Sequence, residues 1–435
     1  QIVWQMALFG AFLFTFWSLG VNIAPTVYTD VNTAYRSLTK DQAMEPNDFL
    51  EKAAGKVVYA DQGQYRAFVP NPLPPTLRWT SGLVTALSKA DRALGQLSGL
   101  GRSLPNPHLL IRPFMRREAV LSSRIEGTQA SLSDLYAFEG RQPPLFESPP
   151  DVREVHNYVR ALEYGLDRLG TLPLSLRLIR EIHARLMEDV REEHQTPGEF
   201  RRSQNWIGPP GCTLNDAIYV PPSLEEMHSA LYALEDYLHS EPSLPPLVRL
   251  GLIHYQFEAI HPFLDGNGRV GRLLLTLLLC QWGLLSQPLL YLSAYFNTHR
   301  AAYYDLLLRV SREGAWEDWM TFFLRGVAIQ ARDAIARAQR IQDLHEDYHV
   351  QMVDDQAPAG VLQVIDWLFV QPLVTIRQVE QALDLTYQTS RRYVDRLEEK
   401  GILREITGQA RNRVYRAGAV LDAINEPLEE TPETS

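Results

Sequence analysis

Apolar positions along this chain recur mostly at helical spacing, so the pattern predicts a mostly α protein. Amphipathic stretches predict helices over about Ser81 to Leu97, Val152 to Leu169 and Leu174 to Val190. Leu247 to Ile260 reads as a further helix, and Leu273 to Leu285 is so uniformly apolar that it reads as a buried one. Arg117 to Thr128 predicts a helix closed by Gly127, a residue suited to the left-handed position past a helix end. Residues 328–352 alternate Ala and Arg in register and read as a long helical connector. Two short stretches read as extended: the Pro-rich Tyr65 to Pro75, and Ala217 to Pro222 after a Gly/Asn/Asp turn.

The last quarter of the chain changes character. Helices are predicted over Val361 to Phe369, Thr375 to Leu383 and Thr386 to Lys400, then short strands over Ile402 to Ile406 and Arg413 to Tyr415. That order is the order of a winged helix-turn-helix domain. The tail from Glu426 to Ser435 is acidic and Pro-containing, the composition of a segment with no core to join.

Composition narrows the class. With 45% apolar and 22% charged residues the chain is an ordinary globular protein, and 435 residues leave room for two to four domains. A net charge of -10 argues against a general nucleic-acid coat. Cys212 and Cys280 give neither a disulfide framework nor a metal spacing, which suits a reducing, cytoplasmic setting. Met6 to Val21 is nearly all apolar, and three readings compete for it: a membrane anchor, a signal sequence lacking its basic start, or an upstream extension with translation beginning near Met44. The third is favoured, and a membrane-anchored form through residues 6–22 is the alternative.

The chemistry concentrates in His261 to Arg272, HPFLDGNGRVGR. Gly266 and Gly268 allow tight turning and close approach to an anion. From Asn267 onward a helix opens, so its free N–H groups and positive dipole end face whatever sits there. Arg269 and Arg272, three apart, share a face and can grip phosphate oxygens. Asp265 is a hard oxygen ligand suited to Mg2+ held jointly with phosphates. His261 can take a proton from a hydroxyl. Singly each residue has a bland structural reading; together they describe a phosphoryl- or nucleotidyl-transfer site. His156, His183 and His254 read as packing residues, as do Trp316 and Trp319.

These twelve residues resemble, without departure, the active-site motif of the Fic family, HPF-x-[DE]-GNGR-x-x-R. The resemblance implies transfer of AMP from Mg-ATP to a Ser, Thr or Tyr hydroxyl of a target protein or of the chain itself. It implies that His261 is the general base and that Asp265 holds Mg2+. Gly266, Asn267, Gly268, Arg269, Val270, Gly271 and Arg272 would line the nucleotide phosphates, and Tyr304 and Asn297 the adenosine. Ser122-x-x-x-Glu126-Gly127 resembles the family's inhibitory motif, [ST]-x-x-x-E-[GN]; Glu126 would pair with Arg272 and block the γ-phosphate position. Alternatives on the same site are removal of AMP and another phosphoryl or nucleotidyl transfer.

The implied fold is a helical Fic core with a short β-hairpin flap plus the winged domain. Its divisions are 1–43 extension, 44–145 N-terminal region with the inhibitory helix, 146–327 catalytic core, 328–356 connector, 357–420 winged helix and 421–435 tail. A target segment would add as a strand along the flap near Ala217 to Val220. A homodimer is a further expectation. Eight cations from Arg391 to Arg416 face four acids between Thr386 and Arg416, so residues 386–416 suit DNA, and a regulator acting through DNA is an alternative function; protein contact suits such a module equally.

Overall fold

The computed structural model describes residues 44, 48–103, 107–140, 150–190, 196–209 and 211–426. The apolar segment of residues 6–22 and the acidic tail from residue 427 lie outside them. No helix of the described residues is long and apolar enough to cross a membrane.

A two-stranded antiparallel hairpin opens the described chain, β1 (Gly55–Ala60) and β2 (Tyr65–Pro70), paired Gly55 to Pro70 through Ala60 to Tyr65. The Pro-rich stretch is therefore half strand. Six helices follow: α1 (Ser81–Ser103), α2 (His108–Ile125), α3 (Leu132–Glu139), α4 (Pro150–Leu169), α5 (Leu176–Leu186) and α6 (Leu224–His239). Ser131 caps α3 in a capping box with Asp134, and Ser175 caps α5 through the Leu178 amide, satisfying N–H groups that a helix start leaves bare.

At the centre lie α7 (Pro246–Ile260) and α8 (Asn267–Gln281), antiparallel neighbours joined by the His261 to Gly266 loop. Nearly every residue of α7 is buried, and α8 is buried from Val270 to Leu279. A helix apolar on all sides must sit inside other helices, and α2, α4, α5 and the later helices supply that enclosure. The apolar run predicted to reach Leu285 stops being helical at Gln281, where Gly283 takes a positive φ of 68°.

Three helices complete the core: α9 (Ser293–Thr298), α10 (Arg300–Glu313) and α11 (Trp316–Asp354). The expected connector over 328–352 is only the second half of α11. Its first half carries Trp316, Trp319, Phe323, Leu324 and Val327, all buried, and α11 runs along α1 as the spine of the molecule. Apolar and Ala/Arg-rich halves look different in sequence but wind as one helix.

The C-terminal module holds α12 (Ala359–Leu368), β3 (Leu373–Val374), α13 (Ile376–Ala382), α14 (Tyr387–Glu399), β4 (Arg404–Glu405), β5 (Tyr415–Arg416) and α15 (Gly418–Asn425). Its three strands form one antiparallel sheet in the order β3-β5-β4. Strand β3 and helix α15 were not expected. Two-residue strands carry too little alternation to be read, and α15 lies where the pattern suggested only a tail. The module is bonded to the core: Gln371 Nε2 donates to Tyr136 O at 3.0 Å and Gln378 Nε2 to Gly140 O at 2.5 Å. Buried Arg337 of α11 donates to Ile424 O at 2.5 Å and Glu426 O at 2.9 Å.

A candidate anion-binding site at the start of α8

The loop between α7 and α8 is shaped by its backbone. His261 closes α7 in the left-handed region at φ 49°, a conformation a β-carbon makes costly and that surrounding bonds must hold. Here Arg201, fully buried, donates Nε to His261 O at 3.1 Å, and Asn205 donates Nδ2 to His261 O and Phe263 O. Gly266 caps α8 at φ 79°, which only glycine adopts freely. The Asn267 side chain braces the loop, accepting from Phe263 N and donating to Phe263 O, both at 2.8 Å. The side chain is therefore committed to the protein, which leaves the backbone N–H at the helix start as the group that can face an anion.

His183 supports the same loop from behind. Its ring stacks on Phe263 with centroids 3.7 Å apart. The Gly198 amide donates to Nδ1 at 3.0 Å, so the neutral ring carries its proton on Nε2 and donates to Asp265 O at 3.1 Å. Burial holds its pKa down to about 4, which keeps it neutral. His254, the other packing candidate, is buried against Phe296, Tyr303 and Trp319; its Nε2 meets Tyr303 Oη at 2.8 Å, and burial lowers its pKa to about 3. Trp319 packs beneath it and donates to Gly251 O.

Both expected arginines are buried, and each is matched by acids from elsewhere in the chain. Arg269 donates to Glu154 of α4 at 2.9 Å and to Asp265 at 3.1 Å, while its Nε is buried without a hydrogen-bond partner among the described residues. Arg272 donates Nε to Ser122 Oγ at 2.9 Å and Nη2 to Ser122 O at 3.0 Å and Glu126 Oε1 at 2.6 Å. The expected pair of Glu126 and Arg272 thus meets across 146 residues, and Ser122, not expected to touch Arg272, joins it across 150. Gly127 takes φ 105° just past the end of α2 and leaves Glu126 at the C-cap.

Gly268 explains what Glu126 is doing there. A β-carbon built on Gly268 would lie 2.4 Å from Glu126 Oε1 and 2.9 Å from Arg272 Nη1. The Glu126 carboxylate therefore occupies the space over the first turn of α8, where helix dipole and backbone N–H groups favour an anion. A side chain of the protein sits in the anion seat.

Two residues of the motif face elsewhere. Val270 is in the core, and a β-carbon on Gly271 would meet Glu258 Oε1 at 2.3 Å, so Gly271 serves the approach of α7 rather than the nucleotide. Of the adenosine candidates, Tyr303 is core and Tyr304 half-buried, its phenol within electrostatic reach of Arg272. Asn297 is half-buried on α9.

Several members were invisible in the sequence. Glu118, buried on α2, accepts from the Ser293 hydroxyl and from Tyr158 Oη, and burial raises its pKa to about 7. Glu258 is likewise raised to about 7 by burial. Neither lies in a motif, and only the unusual sight of an acid inside an otherwise apolar helix face marks them.

His261 is the titrating group of the loop that leads to the seat. Burial lowers its pKa to about 4, so its imidazole is neutral near pH 7. Nδ1 lies 3.3 Å from Glu258 O. With the proton on Nδ1, Nε2 keeps a lone pair and can accept a proton. Asp265 keeps a half-exposed carboxylate beside this, with Oδ1 accepting from the Gly266 amide at 2.6 Å. A hard, solvent-facing oxygen next to an anion seat fits a Mg2+ ion shared with phosphate.

The expected docking edge is not open. Ala217 O accepts from Met44 N, Ile218 and Tyr219 donate to Ile207 O, Tyr219 O accepts from Ile207 N, and Val220 O accepts from Phe68 N. Ala217, Tyr219 and Val220 are buried. Among the described residues, the arms meet in a single Ile207–Tyr219 bridge, set against β2 by the Phe68 N to Val220 O bond.

Comparison with known proteins agrees with this geometry. Residues 84–167 match the model of the Fic/DOC family N-terminal region and residues 173–279 that of the Fic/DOC family. A protein adenylyltransferase Fic of Drosophila willistoni is 30% identical over 251 residues, covering 54% of this chain and 48% of its own length. One of Culex quinquefasciatus is 28% identical over 291 residues, 63% of this chain and 54% of its own. The chain thus spans about half the length of these curated relatives. A crystal structure of a Fic family protein from Desulfovibrio desulfuricans superposes with a TM-score of 0.51 at 21% identity, covering 79% of this chain and 98% of that one, which shows the fold.

Proposed function

From the premise that this is a Fic-family protein over residues 84–279, we propose that it moves AMP from Mg-ATP to a hydroxyl of a protein, and that Glu126 restrains it. The observation that carries this reading is the Glu126 carboxylate seated over Gly268 and bonded to Arg272. An anion already occupies the place a nucleotide phosphate would take, on a cation built to hold it.

The chain's own residues perform the step as follows. The N-terminal turn of α8 and the two buried arginines hold the phosphates and stabilise charge as it develops. Neutral His261 accepts the target hydroxyl proton at Nε2. The hydroxyl oxygen bonds to the α-phosphorus as the bond to pyrophosphate breaks. Asp265, with phosphate oxygens, would hold Mg2+, which neutralises charge on the leaving pyrophosphate when bound. Tyr304 and Asn297 would face the adenosine. Because Ala217 O and Val220 O already accept from Met44 N and Phe68 N, a target strand laid along that side would have to displace those bonds, or the hydroxyl would reach His261 by another route.

The test is transfer of label from α-labelled ATP with Mg2+ to the protein or to lysate proteins. Label is expected to be weak in the parent and about 5- to 150-fold higher in Glu126→Gly, the range of a coupling of 1–3 kcal/mol. Glu126→Gly with His261→Ala should lose about 10²–10⁴ of it. Label from γ-labelled but not α-labelled ATP would leave the site and change the transferred group. Label from neither donor would favour a regulator acting through residues 386–416, whose Arg391, Arg392, Arg411 and Arg413 are exposed.

A further inference from the structure

We propose that His345, His349 and Asp366 form a binding site for a divalent transition-metal cation of the zinc class, at the joint between α11 and α12 and apart from the nucleotide site. His345 and His349 are four residues apart on α11 and so share one face of that helix. Asp366 comes from α12, the first helix of the C-terminal module. Both rings direct Nε2 at the same oxygen, Asp366 Oδ1, at 2.7 and 2.8 Å. The three ligand atoms all lie within 4.8 Å of one another.

The donor chemistry selects the cation. Two imidazoles and one carboxylate are borderline ligands that suit zinc, nickel or cobalt rather than magnesium or calcium. Three protein ligands leave a fourth position for water, and all three residues are half-exposed, so water reaches it. Bonds of about 2.0–2.2 Å around a tetrahedral ion put ligand atoms about 3.3 Å apart. The two nitrogen–oxygen distances need to open by only about 0.5 Å, a small rotation of side chains on a half-exposed face. Glu346 and Asp347, between the two histidines, add negative charge that draws a cation in. Phe369 lies edge-on to the His345 ring, centroids 5.0 Å apart, and limits its swing.

Without metal, a single oxygen accepts from two rings, which requires a proton on each Nε2. For a cation to bind, each neutral ring carries its one proton on Nδ1 instead, so that the Nε2 lone pairs and the Asp366 carboxylate face the metal and tie α11 to α12. The site would then fix how the C-terminal module seats on the spine.

The test uses the full chain, stripped with a chelator and titrated with Co2+, whose visible absorption reports coordination by nitrogen and oxygen. One equivalent is expected to bind, to be displaced by Zn2+, and to raise the melting temperature. His345→Ala with His349→Ala should weaken binding by at least about a hundredfold, and Asp366→Asn by at least about tenfold. Asp265→Asn should bind as the parent does, which separates this site from the nucleotide site. Circular dichroism checks that the variants keep their helices. Absence of a stoichiometric Co2+ band in the parent would overturn the proposal and leave a hydrogen-bonded triad only. So would a parent-like band in the double-histidine variant.

Discussion

Two groups of cations in this molecule could grip phosphate, and they are built in opposite ways. At the start of α8, Arg269 and Arg272 are buried, aimed by Glu154, Asp265, Ser122 and Glu126, and set against a helix N-terminus. On the C-terminal module, Arg391, Arg392, Arg396 and Lys400 line an open depression of about 620 Å³ on the surface of α14. Arg396 and Lys400 are both drawn to Asp355 at 2.5 Å, and Arg391 leans on Asp395 at 3.5 Å. Counting cations does not distinguish the two. Burial does. Removed from water, an arginine must be satisfied in a fixed geometry or it costs several kcal/mol, so its direction is set before any ligand arrives. An exposed arginine keeps its freedom, is screened by salt, and offers charge without shape.

Gly268→Ala puts a methyl group where Glu126 Oε1 now lies, crowding both the restraining carboxylate and any phosphate. In the Glu126→Gly background it should raise KM for ATP by at least about tenfold, about 1.4 kcal/mol. An unchanged KM would mean that the nucleotide does not use the seat.

A second consequence concerns acid. His183 and His254 are buried and neutral, with pKa values near 4 and 3, against about 6.5 when unfolded. The unfolded chain binds the extra protons first, so stability is full above pH 6.5 and falls as pH drops toward 4. Each histidine contributes a slope of up to about 1.4 kcal/mol per pH unit, readable in urea titrations at several pH values. The same burial at His261 places the acid limb of kcat/KM near pH 4 rather than 6.5. A limb at 6.5 would mean that water reaches this imidazole freely. The smallest effect belongs to the surface. Arg391→Ala and Arg392→Ala together should change stability by no more than about 0.5 kcal/mol each and leave label transfer unaltered.

The parts that were legible in the sequence are those where chemistry is local. His261 to Arg272 carries its turn glycines, its helix start and its cations within twelve residues, and the structure assembles them as spaced. Glu126 was legible only through Ser122-x-x-x-Glu126-Gly127, whose resemblance to the inhibitory motif implied a pairing with Arg272, and the two side chains do meet. What stayed hidden depends on long-range packing. Glu154 reaches Arg269 across 115 residues, and Glu118 and Ser293 are 175 apart. No spacing rule connects such pairs. The Asn267 side chain braces the loop while its backbone stays at the helix start, and Gly271 admits Glu258, since one short string mixes groups that can touch a ligand with groups that hold the loop. The 217–220 stretch shows a similar limit: extended residues can be found in sequence, but not which of their backbone groups another strand already bonds.

Helix α11 runs unbroken for 39 residues, which makes it a rod about 58 Å long. Its middle meets the helix that carries Ser122 and Glu126, through Asp333 and Arg117 at 3.9 Å, and its far end carries the C-terminal module. Mechanically that is a lever with its pivot in the core. A tilt of about 5° at the pivot would sweep a point 29 Å away, half the rod, by about 2.5 Å, and a push of that size at the module would return to the core as torque beside α2.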